Sequence, residues 1–366
     1  MAPKRILVIT TFYKPFIGGA EISTEEFIGR LKNEFYFVVI TARIDRSLPK
    51  KELDGEIVIY RLGFGFYFDK YLFPILAFVK SFSIDFDCSY AVMATYSGMA
   101  ALLIKFFRNK PYVLNLQSGT LIEKLKSKKF FLVRLVCKQI HARADYVQAI
   151  SRALYNSALE LGADSERISI VPNGVFIGDF KPTFKGYKRR IIAVSRLERV
   201  KGVKYLIGAM PKVLSKFPDA ELWIAGDGSE REDVSTLVKY LGVENSVKVL
   251  GKIQRSGIPQ LLNSGEIFVM ASLAEGLGVA CLEAMACGLA VVATRVDGIL
   301  DIVKDKQTGL LANPSDSYDL AEKIIDLLSD EEKRKLLSAN GFDFVQDYDW
   351  DKISVKLSGI FNRVEI

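Results

Sequence analysis

Short apolar runs alternate with helical patterns almost from the first residue of the chain. Residues 6–10, 37–41, 91–94, 112–116 and 146–149 each read as a buried strand, and the longer stretches between them carry helical periodicity. After Phe180 the polar stretch KPTFKGYKRR, with Pro182 and Gly186, interrupts the pattern and reads as a linker. The alternation then restarts, with strands expected at 191–194, 221–225, 247–250, 267–270 and 290–293. Strand and helix in strict turn build a parallel sheet flanked by helices, and such sheets bind ligands beyond the carboxyl ends of their strands. The expected class is therefore α/β, with two Rossmann-like doubly wound domains facing each other across a cleft. The first should span 1–182, completed by a C-terminal helix over 348–366, and the second 183–347.

The stretch EGLGVACLEAMACG, residues 275–288, carries the most specific chemistry. Gly276 and Gly278 lack a Cβ and let backbone approach a ligand closely. Val279 onward reads as a buried helix closed by Gly288. The unpaired N–H groups and positive dipole end at the start of such a helix favour an anion such as a diphosphate. Glu275 in the loop and Glu283 in the helix can each grip a pair of hydroxyls, one pair on a sugar and one on a ribose. The plain alternative is a surface acid followed by an ordinary core helix. Four further loops gather polar groups at expected strand ends. Gly18 and Gly19 precede a helix near Ala20, and their amides could approach a phosphate. Arg196 and Lys201 in SRLERVKG could neutralise a diphosphate, while Gly226 in AGDG and Lys252 and Ile253 in LGKI could approach a base. Each of these four, alone, is also what a plain turn or a solvated surface produces.

Composition narrows the setting. A chain of 366 residues suggests two domains, and 49% hydrophobic residues can fill two cores. The four cysteines at 88, 137, 281 and 287 lack metal-ligand spacing and read as buried or free thiols in a reducing cytosol. Cys281 and Cys287 read as small packing residues. A single histidine, His141, also disfavours a metal site, and it reads as a partly exposed surface residue. No signal peptide or transmembrane span is expected, the longest apolar candidate being residues 71–79 with Pro74 inside it. The net charge of +7 belongs to the first half, where residues 1–183 hold 25 Lys and Arg against 17 Asp and Glu. Seven of those cations fall within 123–143, interleaved with apolar residues. That pattern suits contact with an anionic membrane, and equally one solvated face of a core helix. Nucleic acid is not expected as a partner, because no binding motif accompanies the charge.

Taken in order, VSRLERVKG (194–202), AGDG (225–228), VKVLGKI (247–253) and EGLGVACLEAMACGLAVVAT (275–294) resemble the family 4 retaining glycosyltransferases of the GT-B fold, the glycosyl transferases group 1. FIGGAE (16–21), ADYVQAIS (144–151) and IVPNGVFIGDF (170–180) extend the resemblance over nearly the whole chain. It implies a retaining hexosyltransferase that moves a sugar from a nucleotide-diphosphate sugar, in UDP or GDP form, to a glycan or lipid-linked acceptor. No metal or other cofactor is implied, and the enzyme is expected in the cytoplasm, peripheral on the inner face of the membrane. Arg196 and Lys201 would bind the diphosphate, helped by amides near Gly278 and Val279 and by the Gly18–Gly19 loop. Glu283 would hold the ribose, and Glu275 with the backbone of Gly276, Leu277 and Gly278 the transferred sugar. The LGKI segment would face the base, and Thr95, Tyr96, Ser97 and Gln117 the acceptor. With Glu275, Arg196 and Lys201 as the catalytic group, the resemblance implies a front-face reaction. Two departures stand out: Gln117, Ser118 and Gly119 where the family commonly has a histidine, and Val296–Asp301 where it has Gly-Gly-x-Pro-Glu. A hydrolysing nucleotide-sugar epimerase on the same fold, or a non-catalytic nucleotide-sugar-binding protein, are the rival readings. A nicotinamide-dependent dehydrogenase is more distant, since neither half has Gly-x-Gly-x-x-Gly after its first strand.

Overall fold

A computed structural model describes residues 3–16, 18–118, 131–183 and 188–365. The chain forms two compact units, one of residues up to Asn173 together with Trp350 onward, the other Gly174–Asp349. The sheet of the first unit comprises β1 (Arg5–Thr10), β2 (Tyr36–Ala42), β3 (Lys51–Asp54), β4 (Ile57–Leu62), β5 (Cys88–Val92), β6 (Tyr112–Leu116), β7 (Tyr146–Ala149) and β8 (Ile168–Ile170). Their order is β3-β4-β2-β1-β5-β6-β7-β8, parallel throughout except where β3 runs against β4. In β1, β5, β6 and β7 almost every residue is buried, as strands covered on both faces require. The fifth strand starts three residues before the apolar run at 91–94 suggests. Strands β3, β4 and β8 are absent from the sequence reading. β3 carries Lys51, Glu52 and Asp54 with no apolar run, and it closes an exposed sheet edge, where charge blocks further pairing.

The helix Trp350–Arg363 returns to this first unit and packs against the helix Gly19–Leu31. Phe361, in its last turn, has ring centroids 5.4 Å from Phe35 and 5.5 Å from Tyr90 and is fully buried. The Lys4 ammonium donates to the carbonyls of Phe361 (3.1 Å) and Val364 (2.8 Å), neutralising the helix C-terminus. Phe361→Ala is expected to lower the stability of this unit by about 3–5 kcal/mol, read as an earlier urea transition. A loss below about 1 kcal/mol would show that the helix is only laid on the surface.

The second unit has β9 (Arg190–Val194), β10 (Glu221–Ala225), β11 (Val247–Gly251), β12 (Ile267–Met270), β13 (Ala290–Thr294) and β14 (Leu310–Ala312). All pairs are parallel, in the order β11-β10-β9-β12-β13-β14. The core is drawn from Ile191, Leu222, Ile224, Val269, Val292 and the helices over them. Strand order reverses between β9 and β12, the kind of switch point beside which open α/β sheets bind ligands. The loops leaving these two strands carry Ser195–Lys201 and Ala271–Gly278.

Candidate functional site

The two loops at the switch point are held together by an ion pair. Lys201 Nζ lies 2.6 Å from Glu275 Oε2, and both side chains are largely buried, at 16% and 14% exposure. Ser272 donates to the same carboxylate oxygen at 3.1 Å, and Thr294 at the end of β13 donates to the Ser272 carbonyl. The amide of Leu273 donates to the Val200 carbonyl at 2.7 Å, so backbone and side chains both tie the loop after β12 to the loop after β9. A lysine and a glutamate 74 positions apart are thereby set side by side in the loops that follow β9 and β12.

The EGLG turn then delivers the chain into the helix Val279–Ala286. Gly278 is its N-cap, at φ 88°, and no side chain caps the free amides. A Cβ on Gly278 would lie 2.5 Å from Ile299 Cδ1, so both conformation and space demand glycine. Leu277 is buried, which leaves its backbone as the part a ligand could meet. Behind the turn, Gly298 lets the helix Asp297–Ile302 approach so closely that a Cβ there would be 2.5 Å from the Glu275 carbonyl oxygen. The departure at 296–301 therefore keeps the glycine that supports the turn, while Asp297 is exposed.

Glu283 is half-buried in the helix and has no hydrogen-bond donor among the described residues. Desolvation pushes its carboxyl up to about 7, while the Arg255 guanidinium pulls the other way. Arg255, in the short turn Arg255–Gly257 after β11, is a residue that the sequence reading passes over. Its signal was its position two residues beyond LGKI. Ser272 is passed over as well, with no local motif to mark it, and Gly298 is read only as part of the departing loop 296–301. Arg196 is exposed and pairs with Glu198 at 2.7 Å rather than with the buried pair. Gly226 donates its amide to the Gly251 carbonyl at 2.8 Å, joining the ends of β10 and β11. Lys252 is exposed and Ile253 half-buried just beyond.

The remaining residues lie in the first unit. Gly18 is the N-cap of the helix beginning at Gly19, again without a side-chain cap. Thr95 is the N-cap of the helix Tyr96–Arg108, and the Tyr96 ring meets Tyr71 edge-on at 5.6 Å. Ser97 is fully buried and shares a hydrogen bond with the Thr11 hydroxyl at 3.2 Å, so it presents no open hydroxyl. Gln117 forms a closed amide pair with Asn173, donating at 3.2 Å and accepting at 2.7 Å. Ser23 donates to the same Asn173 oxygen at 2.7 Å. The side chain in the family histidine's place is thus a latch between β6, the helix Gly19–Leu31 and the chain after β8.

His141 corrects the reading of it as a surface residue. It is 2% exposed, because Cys137, Ile140 and His141 form the inward face of the helix Phe131–Ala142. Its Nδ1–H donates to the Cys137 carbonyl at 2.7 Å, and burial lowers its pKa. With Thr95, Leu116 and Gln117 it lines a small cavity. All four cysteines are buried. Of the basic segment 123–143, residues 123–130 lie outside the described ones, and the first turn of Phe131–Ala142 exposes Phe131 and Leu132. Among the described residues, no helix is long and apolar enough to cross a membrane.

Comparison with known proteins places these two units in context. The model of the family Glycosyl transferases group 1 matches residues 178–344, and that of Glycosyltransferase Family 4 matches 17–177. An uncharacterized glycosyltransferase of Methanocaldococcus jannaschii is 27% identical over 98% of each chain. In fold, the chain is similar to a sucrose-phosphate synthase from Thermosynechococcus elongatus, at TM-score 0.86 and 20% identity over 98% of each chain. It is also similar to HepE of Anabaena in complex with UDP and glucose, at TM-score 0.81 and 22% identity over 98% of this chain and 99% of that one.

Proposed function

The chain belongs to the group 1 and family 4 glycosyltransferases, with the GT-B pairing of two parallel-sheet α/β domains, and on that premise we propose that it is a retaining hexosyltransferase using a nucleotide-diphosphate sugar. The observation that carries this reading is the buried Lys201–Glu275 pair at the switch point, beside the uncapped N-terminus of the helix Val279–Ala286. A diphosphate fits between the lysine ammonium and the free amides, as a developing negative charge best stabilised by fixed donors. Glu283, desolvated and without a hydrogen-bond donor among the described residues, is suited to accept two ribose hydroxyls, with Arg196, exposed and paired with Glu198, able to exchange that partner for the phosphate as a fork.

In the proposed reaction the acceptor hydroxyl attacks the anomeric carbon on the face that the diphosphate leaves. The carbon–oxygen bond to phosphate breaks, the new glycosidic bond forms, and the departing phosphate oxygen takes the hydroxyl proton. Glu275 supports this front-face course over a covalent glycosyl intermediate, because its carboxylate is already engaged by Lys201 and Ser272 and is better placed to hold sugar hydroxyls than to act as a nucleophile. The acceptor is proposed to be a glycan or a lipid-linked sugar, with the enzyme in the cytoplasm on the inner membrane face. No protein-held metal takes part in this scheme.

Thermal shift with UDP-, GDP- and ADP-sugars, each without and with added divalent metal, tests the donor assignment. UDP comes first because HepE holds it. One donor at about a hundred times its dissociation constant is expected to add about 2.7 kcal/mol and to raise the midpoint by several degrees. No response to any donor would remove the assignment. Product NMR then decides retention, and an inverted anomeric centre would overturn the front-face course.

A further inference from the structure

We propose that the outward face of the helix Asp69–Ser81, with the end of the helix Tyr96–Arg108, docks this protein on an anionic lipid bilayer. Phe73, Pro74, Ala77 and Ser81 are the buried side of the first helix. Its opposite side is apolar too: Leu72, Ile75, Val79 and Phe82 follow one another at helical spacing, and Ile75 and Val79 are each 60% exposed. A helix apolar on both sides belongs inside something, and here one side is left uncovered by the described residues. Eleven of the 23 large apolar side chains exposed among the described residues fall in 64–82 and 106–107, well beyond the single scattered residues of ordinary surfaces. The patch is continuous. Ring contacts at 5.3 Å run from Phe82 to Phe78, from Phe78 to Phe107 and from Phe107 to Phe106, which is 71% exposed.

Charge identifies the occupant. In 57–82 and 96–111 the sole carboxylate is Asp69, which is buried and accepts the amides of Phe64, Gly65 and Phe66 at 2.7, 2.7 and 3.0 Å. The rim holds cations: Lys70 lies 3.7 Å from the Tyr67 ring centre, Lys80 lies 4.1 Å from that of Tyr60, and Arg108 lies 5.2 Å from that of Phe82. Lysine is depleted where proteins meet proteins. An apolar centre ringed by lysines and tyrosines matches a bilayer interface, where tyrosines sit at headgroup level and lysines reach anionic lipid. The patch continues to Tyr96 through its contact with Tyr71, so it borders the side proposed to take the acceptor. In that respect the inference rests on the lipid-linked reading of the acceptor and supplies the surface that would bring it within reach.

Vesicle flotation of the full chain, without donor or acceptor, tests the docking apart from catalysis. Vesicles of seven parts phosphatidylcholine to three parts phosphatidylglycerol are expected to carry the protein, and phosphatidylcholine alone to carry much less. Ile75→Glu with Val79→Glu is expected to cut the partition coefficient at least tenfold, and Tyr240→Glu, at a still more exposed position in the other unit, to leave it unchanged. Lys70→Glu with Lys80→Glu, which spares the apolar face, should abolish the preference for the anionic vesicles; this pair decides the matter if the first double variant fails to fold by circular dichroism. Flotation of folded variants like the wild type, or no flotation of the wild type, overturns the proposal. So does a concentration-dependent dimer that Ile75→Glu with Val79→Glu dissociates, which would assign the face to a second copy. Retained donor stabilisation alongside lost flotation keeps this question separate from that of the glycosyl transfer itself.

Discussion

Glu283→Gln is expected to make the free protein more stable and at the same time blind to its donor. Burial raises the Glu283 carboxyl to about 7, above its ordinary value of 4.5, so the folded state holds a proton that the unfolded chain has already lost. The penalty is absent below about pH 4.5, grows as pH rises toward 7 and is complete above it. A shift of that size corresponds to about 3 kcal/mol as an upper bound. Urea unfolding of the glutamine variant should therefore gain up to about 3 kcal/mol at pH 8 and almost nothing at pH 4.5. Donor binding runs the other way: the bonds of two ribose hydroxyls to a carboxylate weaken by about 1 kcal/mol each when the charge goes, which is a loss of affinity of tenfold or more. In the wild type, donor affinity should rise with pH through 7, because hydroxyl donors favour the ionised acid. Equal stability of variant and wild type at pH 8, with unchanged donor affinity, would remove Glu283 from the site.

That opposition explains why Glu283 was legible in the sequence and Arg255 was not. A glutamate inside VACLEAMA breaks the apolar run of a buried helix, and a local rule broken without structural gain marks a functional position. Arg255 breaks no rule, because an arginine in a polar turn is ordinary; only the fold of β11 toward the helix Val279–Ala286 gives it a role. The same logic separates the strands. Buried parallel strands such as β6, β7, β10 and β12 announce themselves as short, mostly apolar runs, and their bounds follow the sequence residue for residue. The edge strand β3 is charged, and β8 and β14 have three residues each, too few to show a period.

Polar partnerships across long separations were the least legible. Nothing local to Gln117 says that its amide is spent on Asn173, 56 residues on, and nothing local to His141 says which way its helix faces. The basic surroundings of His141 suggested solvent, but its neighbours at i−4 and i−1, Cys137 and Ile140, set the inward face. Lys201 and Glu275 were legible as candidates in separate loops, and their contact was not, because pairing 74 residues apart is a product of the sheet order.

Lys201→Met is expected to reduce kcat/KM by a factor of about 100–1,000, the scale on which the loss of one fixed donor to a developing anion is felt. It also strands Glu275 at 14% exposure without its counter-charge, which should cost about 2 kcal/mol of stability, less than the 3–5 kcal/mol of a fully dry pair. Glu275→Gln leaves the ammonium stranded in the same way and should lose transfer while retaining most of its diphosphate affinity. The double variant distinguishes structure from chemistry. Two neutral side chains of similar size remove both stranded charges, so its stability should recover toward that of the wild type, a coupling of about 1–3 kcal/mol between the two sites. Its turnover should not recover, because the charge that meets the diphosphate and the carboxylate that holds the sugar are both gone. Urea midpoints and initial transfer rates on the four proteins measure the two couplings independently. Transfer restored along with stability would mean that the pair acts only as a clasp between the loops after β9 and β12, and that the diphosphate is held elsewhere.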